Sequence, residues 1–416
     1  MWTEQIEQEY LDIFRSLLRF NSANPPGFER EIAEYIHEKL TAEHIESYIV
    51  GRTPERANVL ARIVGKNHEK KPLRLISHID VVPAEGWSVP AFEAYERDGA
   101  IYGRGTLDTK QLTAGQLMAM LLLKRCGLTP QRDVIFIAAA DEENGSGYGM
   151  EYLTKTYPEW FRPAYTWSEG GGFIVRDGRR TFRLCAGSEK STLNVQIAVK
   201  AGRGGEWLEE QTLYRVAHVL ERLASYVPKT TLVEATKRFY KVADPDRVQD
   251  TTIRNLWEYS TKCSMQVEKF NFQDMERQDV GAELRVNLKL LPGMRREEGE
   301  ALFETLLQGE PVMWEVTGFQ SGYESSFENE FLNKLDTVSK RLDPGTEMLP
   351  ILILGSTDGR FIGGDVYGYT PALEDTPFSE VLQMVHGKDE HLSLASAVYN
   401  GRVIGETVLE FACDTD

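Results

Sequence analysis

The stretch LRLISHIDVV, residues 73–82, is a short apolar run that ends in two polar side chains, His78 and Asp80. Its length and its leucine and isoleucine content predict a buried strand. The segment DTKQLTAGQLMAMLLLKRCGL, residues 108–128, predicts a helix, and DVIFIAAADEEN, residues 133–144, predicts a second buried strand. Strand, helix and strand in this order indicate an α/β domain with a largely parallel sheet.

The hydrophobic pattern changes on both sides of this unit. Residues 3–45 have apolar side chains three and four apart, which predicts helices around a loop. From residue 188, STLNVQIAVKAG and later AELRVNLKLLPG alternate apolar and polar residues, which indicates half-exposed strands of an α+β unit. The sequence therefore predicts a main α/β domain formed by residues 1–187 and 299–416, with an inserted domain at 188–298.

Composition excludes several classes of protein. The chain has 416 residues and a formal net charge of −17, which would repel nucleic acid and anionic lipid. No apolar run reaches the roughly 18 residues of a membrane span, and the first residues do not resemble a signal peptide. We therefore expect a cytoplasmic protein with no nucleic-acid or membrane partner. The four cysteines lack CxxC spacing, so any metal would be held by histidine and carboxylate.

Polar side chains collect at the predicted strand ends, where open parallel sheets bind their ligands. They are His78 and Asp80, the acidic residues 141–143, and Glu169 in PAYTWSEGGG. Each has a structural explanation, and Asp108 taken alone is better explained as the N-cap of the following helix. Together, however, several carboxylates at neighbouring strand ends repel one another unless a cation neutralises them. Histidine and carboxylate without thiolate suit zinc, so the pattern predicts a metallohydrolase.

Six motifs extend this prediction to a known family. SHIDVVP, YGRGTLDTK, ADEENGSG, SEGGG, GSTDGRF and VHGKDEH occur in this order along the chain. The set resembles the dinuclear zinc family of aminoacylase, acetylornithine deacetylase, succinyl-diaminopimelate desuccinylase and glutamate carboxypeptidase. The resemblance implies a zinc-peptidase-like (phosphorylase/hydrolase-like) α/β catalytic domain. It also implies an inserted α+β, ferredoxin-like lid, through which a homodimer would form.

The resemblance assigns roles to individual residues. The ligands of two divalent ions would be His78, Asp108, Glu143, Glu169 and His386. Zinc is the metal expected, with cobalt and manganese as alternatives. Asp108 would bridge the two ions, and its neighbouring peptide bond is often cis in this family. Asp80 would orient His78, and Glu142 would be the general base that activates water.

The resemblance also implies the kind of substrate. Arg360 in GSTDGRF matches an arginine that binds a substrate carboxylate, a task that suits the guanidinium fork. The alternative explanation is an ion pair with Asp358. Asn271 in KFNF is a further candidate for contact with substrate from the lid. The expected reaction is hydrolysis of the amide or peptide bond of an N-acyl amino acid or small peptide with a free carboxylate.

One lid position departs from the family pattern. The family usually has a GGHSS-like stretch whose histidine stabilises the oxyanion, but this chain reads AGRGGEWLEE, with Glu206 at that position. An ionised carboxylate cannot donate a hydrogen bond, and loss of one oxyanion donor costs about 10²–10³ in rate. The alternative function is therefore a catalytically impaired homologue that binds metal and ligand.

Overall fold

The computed structural model describes residues 2–202, 211–272 and 279–413. Its helices are α1 (Glu4–Arg19), α2 (Arg30–Ala42), α3 (Lys110–Arg125), α4 (Met150–Thr156), α5 (Thr212–Ala224), α6 (Glu234–Val242), α7 (Thr251–Thr261), α8 (Arg296–Leu306), α9 (Glu330–Leu342), α10 (Gly359–Ile362), α11 (Phe378–Met384) and α12 (Leu394–Cys413).

The strands are β1 (Glu46–Gly51), β2 (Ala57–Ile63), β3 (Leu73–His78), β4 (Tyr95–Arg97), β5 (Ala100–Tyr102), β6 (Val134–Ala139), β7 (Tyr165–Ser168), β8 (Ile174–Asp177), β9 (Arg180–Glu189), β10 (Ser191–Lys200), β11 (Ser264–Phe272), β12 (Val280–Leu290), β13 (Val312–Gln320), β14 (Tyr323–Glu324), β15 (Thr346–Leu352), β16 (Val366–Gly368) and β17 (His391–Ser393).

The central sheet has the strand order β1-β2-β6-β3-β7-β16-β9-β14, and β8 and β15 also pair with β9. The strands in its middle are parallel: β6 pairs with β3, β3 pairs with β7, and β7 pairs with β16, each in the parallel sense. The predicted strand–helix–strand unit is thus confirmed as β3, α3 and β6. The β1–β2 and β8–β9 pairs are antiparallel, since the short connections between these strands allow only hairpins. The sheet is therefore more mixed than the largely parallel one predicted.

Helix α3 lies between the sheet and the outer helices α1 and α12. Its side chains are buried on every face over most of its length, which explains why its second half, Leu117 to Leu123, is apolar all round. At Gly115 a Cβ atom would lie only 2.4 Å from the Cδ1 atom of Ile404 on α12. Glycine therefore allows the two helices to pack closely, and α3 supports the sheet beneath the polar strand ends.

The inserted domain contains a second, antiparallel sheet with the order β11-β12-β10-β13. The predicted alternation is confirmed, since Leu193, Val195 and Ile197 of β10 are all fully buried. Taken without α6 and α7, the element order β10-α5-β11-β12-α8-β13 is the ferredoxin-like arrangement expected of the lid.

The lid sheet extends further along the chain than the predicted segment 188–298. That segment ends inside α8, whereas β13 pairs with β10 in the antiparallel sense. The paired residues run from Thr192 opposite Gln320 to Val199 opposite Val312. We therefore propose that the lid comprises residues 191–320. Its strand alternation could be recognised locally, but membership of β13 depends on a pairing more than 100 residues away.

Helices α6 and α7 were not predicted from the sequence. They follow α5 within the lid but pack against the catalytic domain, where α6 and α7 contact β15 and α7 also contacts β8. Phe239, Ile253 and Leu256 form one buried cluster there with Leu184 and Ile351. Among the described residues, no helix has the length and apolarity needed to cross a membrane.

Candidate metal centre

The carboxyl ends of three neighbouring parallel strands meet at one edge of the central sheet. His78 is the last residue of β3, and Glu169 directly follows β7. Glu142 and Glu143 lie on a short 3₁₀ turn, Glu142–Asn144, just after β6. Asp108 lies shortly before α3, so the helix and the three strands place these five side chains at the same edge.

A first set of metal-binding groups consists of His78, Asp108 and Glu169. The Nε2 atom of His78 lies 3.0 Å from Oδ1 of Asp108 and 3.0 Å from Oε2 of Glu169. His78 is buried, with only 1% of its side chain exposed. The three ligand atoms therefore converge on one small volume at the base of the site.

A second set consists of Asp108, Glu143 and His386. The Nε2 atom of His386 lies 3.0 Å from Oδ2 of Asp108 and 3.1 Å from Oε2 of Glu143. Asp108 thus directs one carboxylate oxygen to each set, which is the geometry of a bridging ligand. The Asp108–Thr109 peptide bond is cis, as the resemblance leads one to expect.

The donor atoms fit divalent cations such as zinc. Two ligands about 2.1 Å from a common ion lie about 3.0–3.4 Å apart when they subtend an angle between 90° and tetrahedral. The measured separations of 3.0–3.1 Å fall within this range. In addition, Oε1 of Glu143 is buried and has no hydrogen-bond partner among the described residues. Such an unsatisfied carboxylate oxygen needs a ligand, which a cation would supply.

The side chains of the two sets strongly perturb one another's acidity. Burial opposes protonation of His78, but the carboxylates of Glu169 and Asp108 outweigh burial and raise the pKa of His78 well above its ordinary value. Hydrogen bonds to Asp108 and Glu143 raise the pKa of His386 to about 10. Both histidines therefore hold protons beside the carboxylates at positions where divalent cations would replace those protons.

Asp80 acts on this site in a way that the sequence did not reveal. It is the backbone carbonyl of Asp80, 2.9 Å away, that accepts a hydrogen bond from Nδ1 of His78. This bond leaves Nε2 of His78 free to act as a ligand. The Asp80 carboxylate, whose Oδ1 lies 3.7 Å from the same Nδ1 atom, also accepts hydrogen bonds from the backbone N–H groups of Glu142 and Glu143 at 3.1 and 3.2 Å. Asp80 thus holds both the histidine and the glutamate turn.

Glu142 stands beside the two sets and belongs to neither among the groups that the structure describes. Its side chain lines the same cavity as Glu143 and Glu169. Burial, and after it the charge of Glu169, raises the pKa of Glu142 well above its ordinary value. A carboxylate that is not required as a ligand and that binds protons readily is suited to general acid–base chemistry.

Glu390 is a fully buried carboxylate that the sequence did not single out, although it lies in the VHGKDEH motif. Its Oε1 atom accepts from the backbone N–H groups of Leu107 at 2.6 Å and Asp108 at 3.2 Å. Its Oε2 atom accepts from Arg104 at 2.7 Å and from the backbone N–H of Gly105 at 3.3 Å. Glu390 therefore fixes the loop that carries the bridging Asp108.

Arg104 extends this network to the loop that carries His386. Its Nη2 atom donates to the backbone carbonyls of Gly387 at 2.8 Å and His386 at 3.4 Å. Arg104 is itself buried, with 2% exposure. The pair formed by Arg104 and Glu390 thus links the loops that supply two of the predicted ligands. No local sequence signal marks this pair, because its partners are mostly backbone groups.

A second buried network supports the turn after β6. Asn24 donates to the carboxylates of Asp80 and Asp141, both at 2.9 Å. Arg56 donates to Asp141 at 2.6 Å and to Glu29 at 2.8 Å. Asp141 adopts a positive φ of 65° at the start of the glutamate turn. Residues of the loop before α2 and of the turn before β2 therefore help determine where Glu142 and Glu143 lie.

The predicted substrate-binding residues have different positions. Nε of Arg360 is buried and has no hydrogen-bond partner among the described residues. Asp358, the alternative partner of Arg360, accepts a hydrogen bond from Ser146 instead. Asn271 lies on the exposed edge strand β11, and the cavity beside the metal-binding sets is lined by other residues. Glu206 lies outside the described residues.

A cavity of about 200 Å³ opens over the two sets. Its lining includes Asp108, Glu142, Glu143, Glu169 and His386, and apolar side chains make up much of the remainder. This volume is many times the 10–15 Å³ or so that one water requires, so the site has room for a substrate. A different groove of about 430 Å³, lined in part by aromatic residues of β1 and of the turn before β7, contains none of the predicted site residues.

The cavity at the carboxyl edge of the sheet brings together the histidine and carboxylate groups expected of a metal-dependent hydrolase. Residues 75–410 match the model of peptidase family M20/M25/M40, and the chain belongs to this family. The resemblance found in the six sequence motifs is thereby confirmed.

Similar proteins support both the family and the fold. Human N-fatty-acyl-amino acid synthase/hydrolase PM20D1 is 35% identical over 180 residues, which are 42% of this chain and 36% of that protein. The M20 family metallo-carboxypeptidase Sso-CP2 of Sulfolobus solfataricus has a similar fold, with a TM-score of 0.71 at 18% identity over 96% of this chain and 98% of that chain.

A further solved structure, the YXEP protein of Bacillus subtilis, is described as a dinuclear metal-binding peptidase of the M20 family. It aligns with a TM-score of 0.60 at 14% identity over 99% of both chains. Matches to the curated relatives are shorter, and the first four of them cover from 34% to 41% of each relative's length.

Proposed function

We propose that the chain is a metal-dependent hydrolase that cleaves the amide or peptide bond of an N-acyl amino acid or small peptide with a free carboxylate. The observation that carries this proposal is Asp108, whose two oxygens each lie 3.0 Å from a different histidine while Glu142 remains outside both sets. The name of the human relative, an N-fatty-acyl-amino acid hydrolase, agrees with this class of substrate.

In this proposal five side chains hold two divalent cations, most simply zinc. His78, Asp108 and Glu169 hold one, and Asp108, Glu143 and His386 hold the other. When bound, the cations would polarise the substrate carbonyl and lower the pKa of water towards neutrality. Asp80 keeps the ligands in place, because it binds Nδ1 of His78 and both backbone N–H groups of the glutamate turn.

Glu142 carries the proton in the reaction that we propose. Its carboxylate accepts the proton from the water that attacks the carbonyl carbon, and then delivers it to the nitrogen of the leaving amine. This second transfer is required because an amine anion is a poor leaving group. Arg360, whose buried Nε has no hydrogen-bond partner in the described parts of the chain, is the proposed site for the substrate carboxylate. Arg360 is not among the residues that line the cavity, but it lies three residues after Thr357, which is.

The test is a hydrolysis screen of N-acyl amino acids and dipeptides with protein loaded with zinc, cobalt or manganese. We expect turnover by the unaltered chain and a loss of about 10²–10⁴ in kcat for Glu142→Gln, with both cations retained. Glu69→Gln is the matched control, because Glu69 is exposed and remote from the cavity. Two bound cations without Glu142-dependent turnover would instead identify the non-hydrolytic homologue that Glu206 raises as the alternative.

The homodimer implied by the resemblance stays a prediction. β11 is the edge strand of the lid sheet, and it exposes Val267, Phe270 and Phe272 by 38%, 39% and 53%. An edge strand with exposed apolar side chains can pair with another chain. Sedimentation velocity of the metal-loaded protein would measure its oligomeric state.

A further inference from the structure

We infer that Cys126 and Cys413 form a site of oxidative modification, at which their two thiols join in a disulfide that links the C-terminal ends of helices α3 and α12. Cys126 is the C-cap residue of α3, and Cys413 is the last residue of α12. Neither residue lines the cavity beside the metal-binding sets. The inference is therefore independent of the proposed hydrolase function.

Helices α3 and α12 pack side by side and run in the same direction. At Gly115, in the first half of α3, a Cβ atom would lie 2.4 Å from Cδ1 of Ile404 and 3.2 Å from Oδ1 of Asn400. About two turns later in α3, Leu122 meets the next part of α12, because a Cβ atom at Gly405 would lie 3.3 Å from Cδ1 of Leu122. The C-terminal ends of the two helices therefore lie at the same end of the pair.

The two cysteines continue the rows of side chains that meet between these helices. Residues four apart lie on the same face of a helix, so Cys126 follows Leu122 on α3, and Cys413 follows Gly405 and Leu409 on α12. Leu122, Cys126, Gly405 and Leu409 line one cavity of about 350 Å³. Cys126 thus faces the row of α12 in which Cys413 is the next member.

The backbone and the two thiols complete this arrangement. The N–H of Gln131, in the loop that follows α3, donates to the carbonyl of Ala412 at 2.7 Å. This bond holds the chain that leaves α3 against the last turn of α12. Burial, and after it the charge and the hydrogen bond of the Cys126 thiol, raise the pKa of Cys413 to about 11. The thiols of Cys126 and Cys413 are therefore in contact.

Access from solvent distinguishes this pair from the other two cysteines. Cys126 and Cys413 are half-buried, whereas Cys185 and Cys263 are 0% and 7% exposed. The Sγ atom of Cys263 lies 3.5 Å from Sδ of Met294. Because oxidation of a thiol depends on its exposure, a small oxidant should act on the pair at the helix ends before it acts on the buried cysteines.

The reaction needs a two-electron oxidant, for which hydrogen peroxide is the probe. One thiolate attacks an oxygen atom of the peroxide, the O–O bond breaks, and a sulfenic acid forms as hydroxide leaves. The sulfur of the second cysteine then attacks the sulfenic sulfur, and the S–O bond breaks. The protons of the two thiols leave in water, so two thiols and one hydrogen peroxide give one disulfide and two waters.

The disulfide should stabilise the folded chain. It closes a loop that includes most of the sequence, and a cross-link over a long loop restricts the unfolded chain most strongly. The thiols already touch in the folded structure, so the bond does not require the helices to separate. We therefore expect oxidation to raise the midpoint of thermal unfolding by about 5 °C.

The experiment treats the full-length chain with hydrogen peroxide, blocks the remaining thiols with iodoacetamide, and digests the product without a reducing agent. We expect mass spectrometry to show a loss of about 2 Da in the intact chain and a pair of peptides joined through Cys126 and Cys413. Cys413→Ser should abolish this loss of mass. Cys263→Ser is the matched control and should retain it, because Cys263 takes no part in the bond.

The peptide map of the unaltered chain decides the inference without relying on either variant. The inference is overturned if Cys126 and Cys413 are recovered as free thiols or as sulfinic acids, or if the bond joins two different chains. Thermal unfolding with and without dithiothreitol is the second measurement. Reduction should lower the midpoint of the oxidised chain by about 5 °C, and an unchanged or higher midpoint after reduction would also overturn the inference, since the bond would then not fit the native packing.

Discussion

Replacement of Glu390 by glutamine tests whether buried hydrogen bonds behind the site hold the bridging Asp108 in place. The variant has nearly the same shape but no charge. In the unaltered protein Oε1 faces the N–H groups of Leu107 and Asp108, and Oε2 faces Arg104 and the N–H of Gly105. An amide can present an oxygen to only one of these two pairs of donors. Its NH₂ group must then point at two other donors.

The magnitude follows from these contacts. Hydrogen bonds to a charged acceptor contribute about 1.5–3 kcal/mol each, so loss of two gives about 3 kcal/mol at the lower limit. Removal of one partner of a buried ion pair costs about 3–5 kcal/mol, which agrees with that count. We therefore expect Glu390→Gln to lower the free energy of unfolding by about 3–5 kcal/mol. The affinity for the cations should fall about 10–100-fold, because the loop of Asp108 is no longer held.

The assay is urea unfolding of the metal-free protein, followed by tryptophan fluorescence, together with a metal-competition titration against a chelating dye. Glu328→Gln is the control, since Glu328 is paired with Arg238 at 3.0 Å but its side chain is 80% exposed. This exposed pair should contribute less than about 1 kcal/mol. If Glu390→Gln unfolds like the control and binds cations within about twofold of the unaltered chain, the network does not position Asp108. The reasoning would then be refuted.

Two further predictions follow from the site. Asp80→Asn removes the carboxylate that binds the glutamate turn but keeps the carbonyl that binds His78. In a stepwise loading experiment, the affinity for a cation at the set with Glu143 should therefore fall about 10–100-fold, while the set with His78 keeps its cation. Equal losses of affinity at both sets would contradict the role given to the Asp80 carboxylate. Loading with zinc at neutral pH should release roughly one proton per histidine, because the pKa of His386 is raised to about 10 and that of His78 is also raised. The apparent affinity for zinc should consequently increase as the pH rises towards 10. Calorimetry in buffers of different ionisation enthalpy measures the protons released, and an absence of proton release would show that the histidines were neutral before zinc was added.

The sequence predicts the fold best where the pattern is local and periodic. The run at residues 73–82 and the helix at 108–128 are recognisable because burial on both faces, or on all faces, requires continuous apolar residues. Helices α6 and α7 are short, and no sequence motif identifies them. Their position is explained only by their packing against β15 and, for α7, also against β8. The end of the lid that we propose depends likewise on a distant contact, the pairing of β13 with β10.

The candidate site divides in the same way. His78, Asp108, Glu143, Glu169 and His386 were predicted together because their residue types and motifs point to metal chemistry, and the structure brings them within hydrogen-bond distance of one another. The role of the Asp80 carboxylate was missed, because a period of two in a strand says which side a residue faces but not which backbone N–H groups approach it.

The sequence by itself determined which residues can hold metal and carry protons, since these properties belong to the chemistry of imidazole and carboxylate groups. Only the tertiary structure decided what holds them and what lies beside them. Glu390 and Arg104 act through backbone groups that any sequence possesses, so no residue pattern identifies them. The cavity beside the metal-binding sets is lined by residues as far apart in the chain as Leu107 and His386, and only folding makes them one surface.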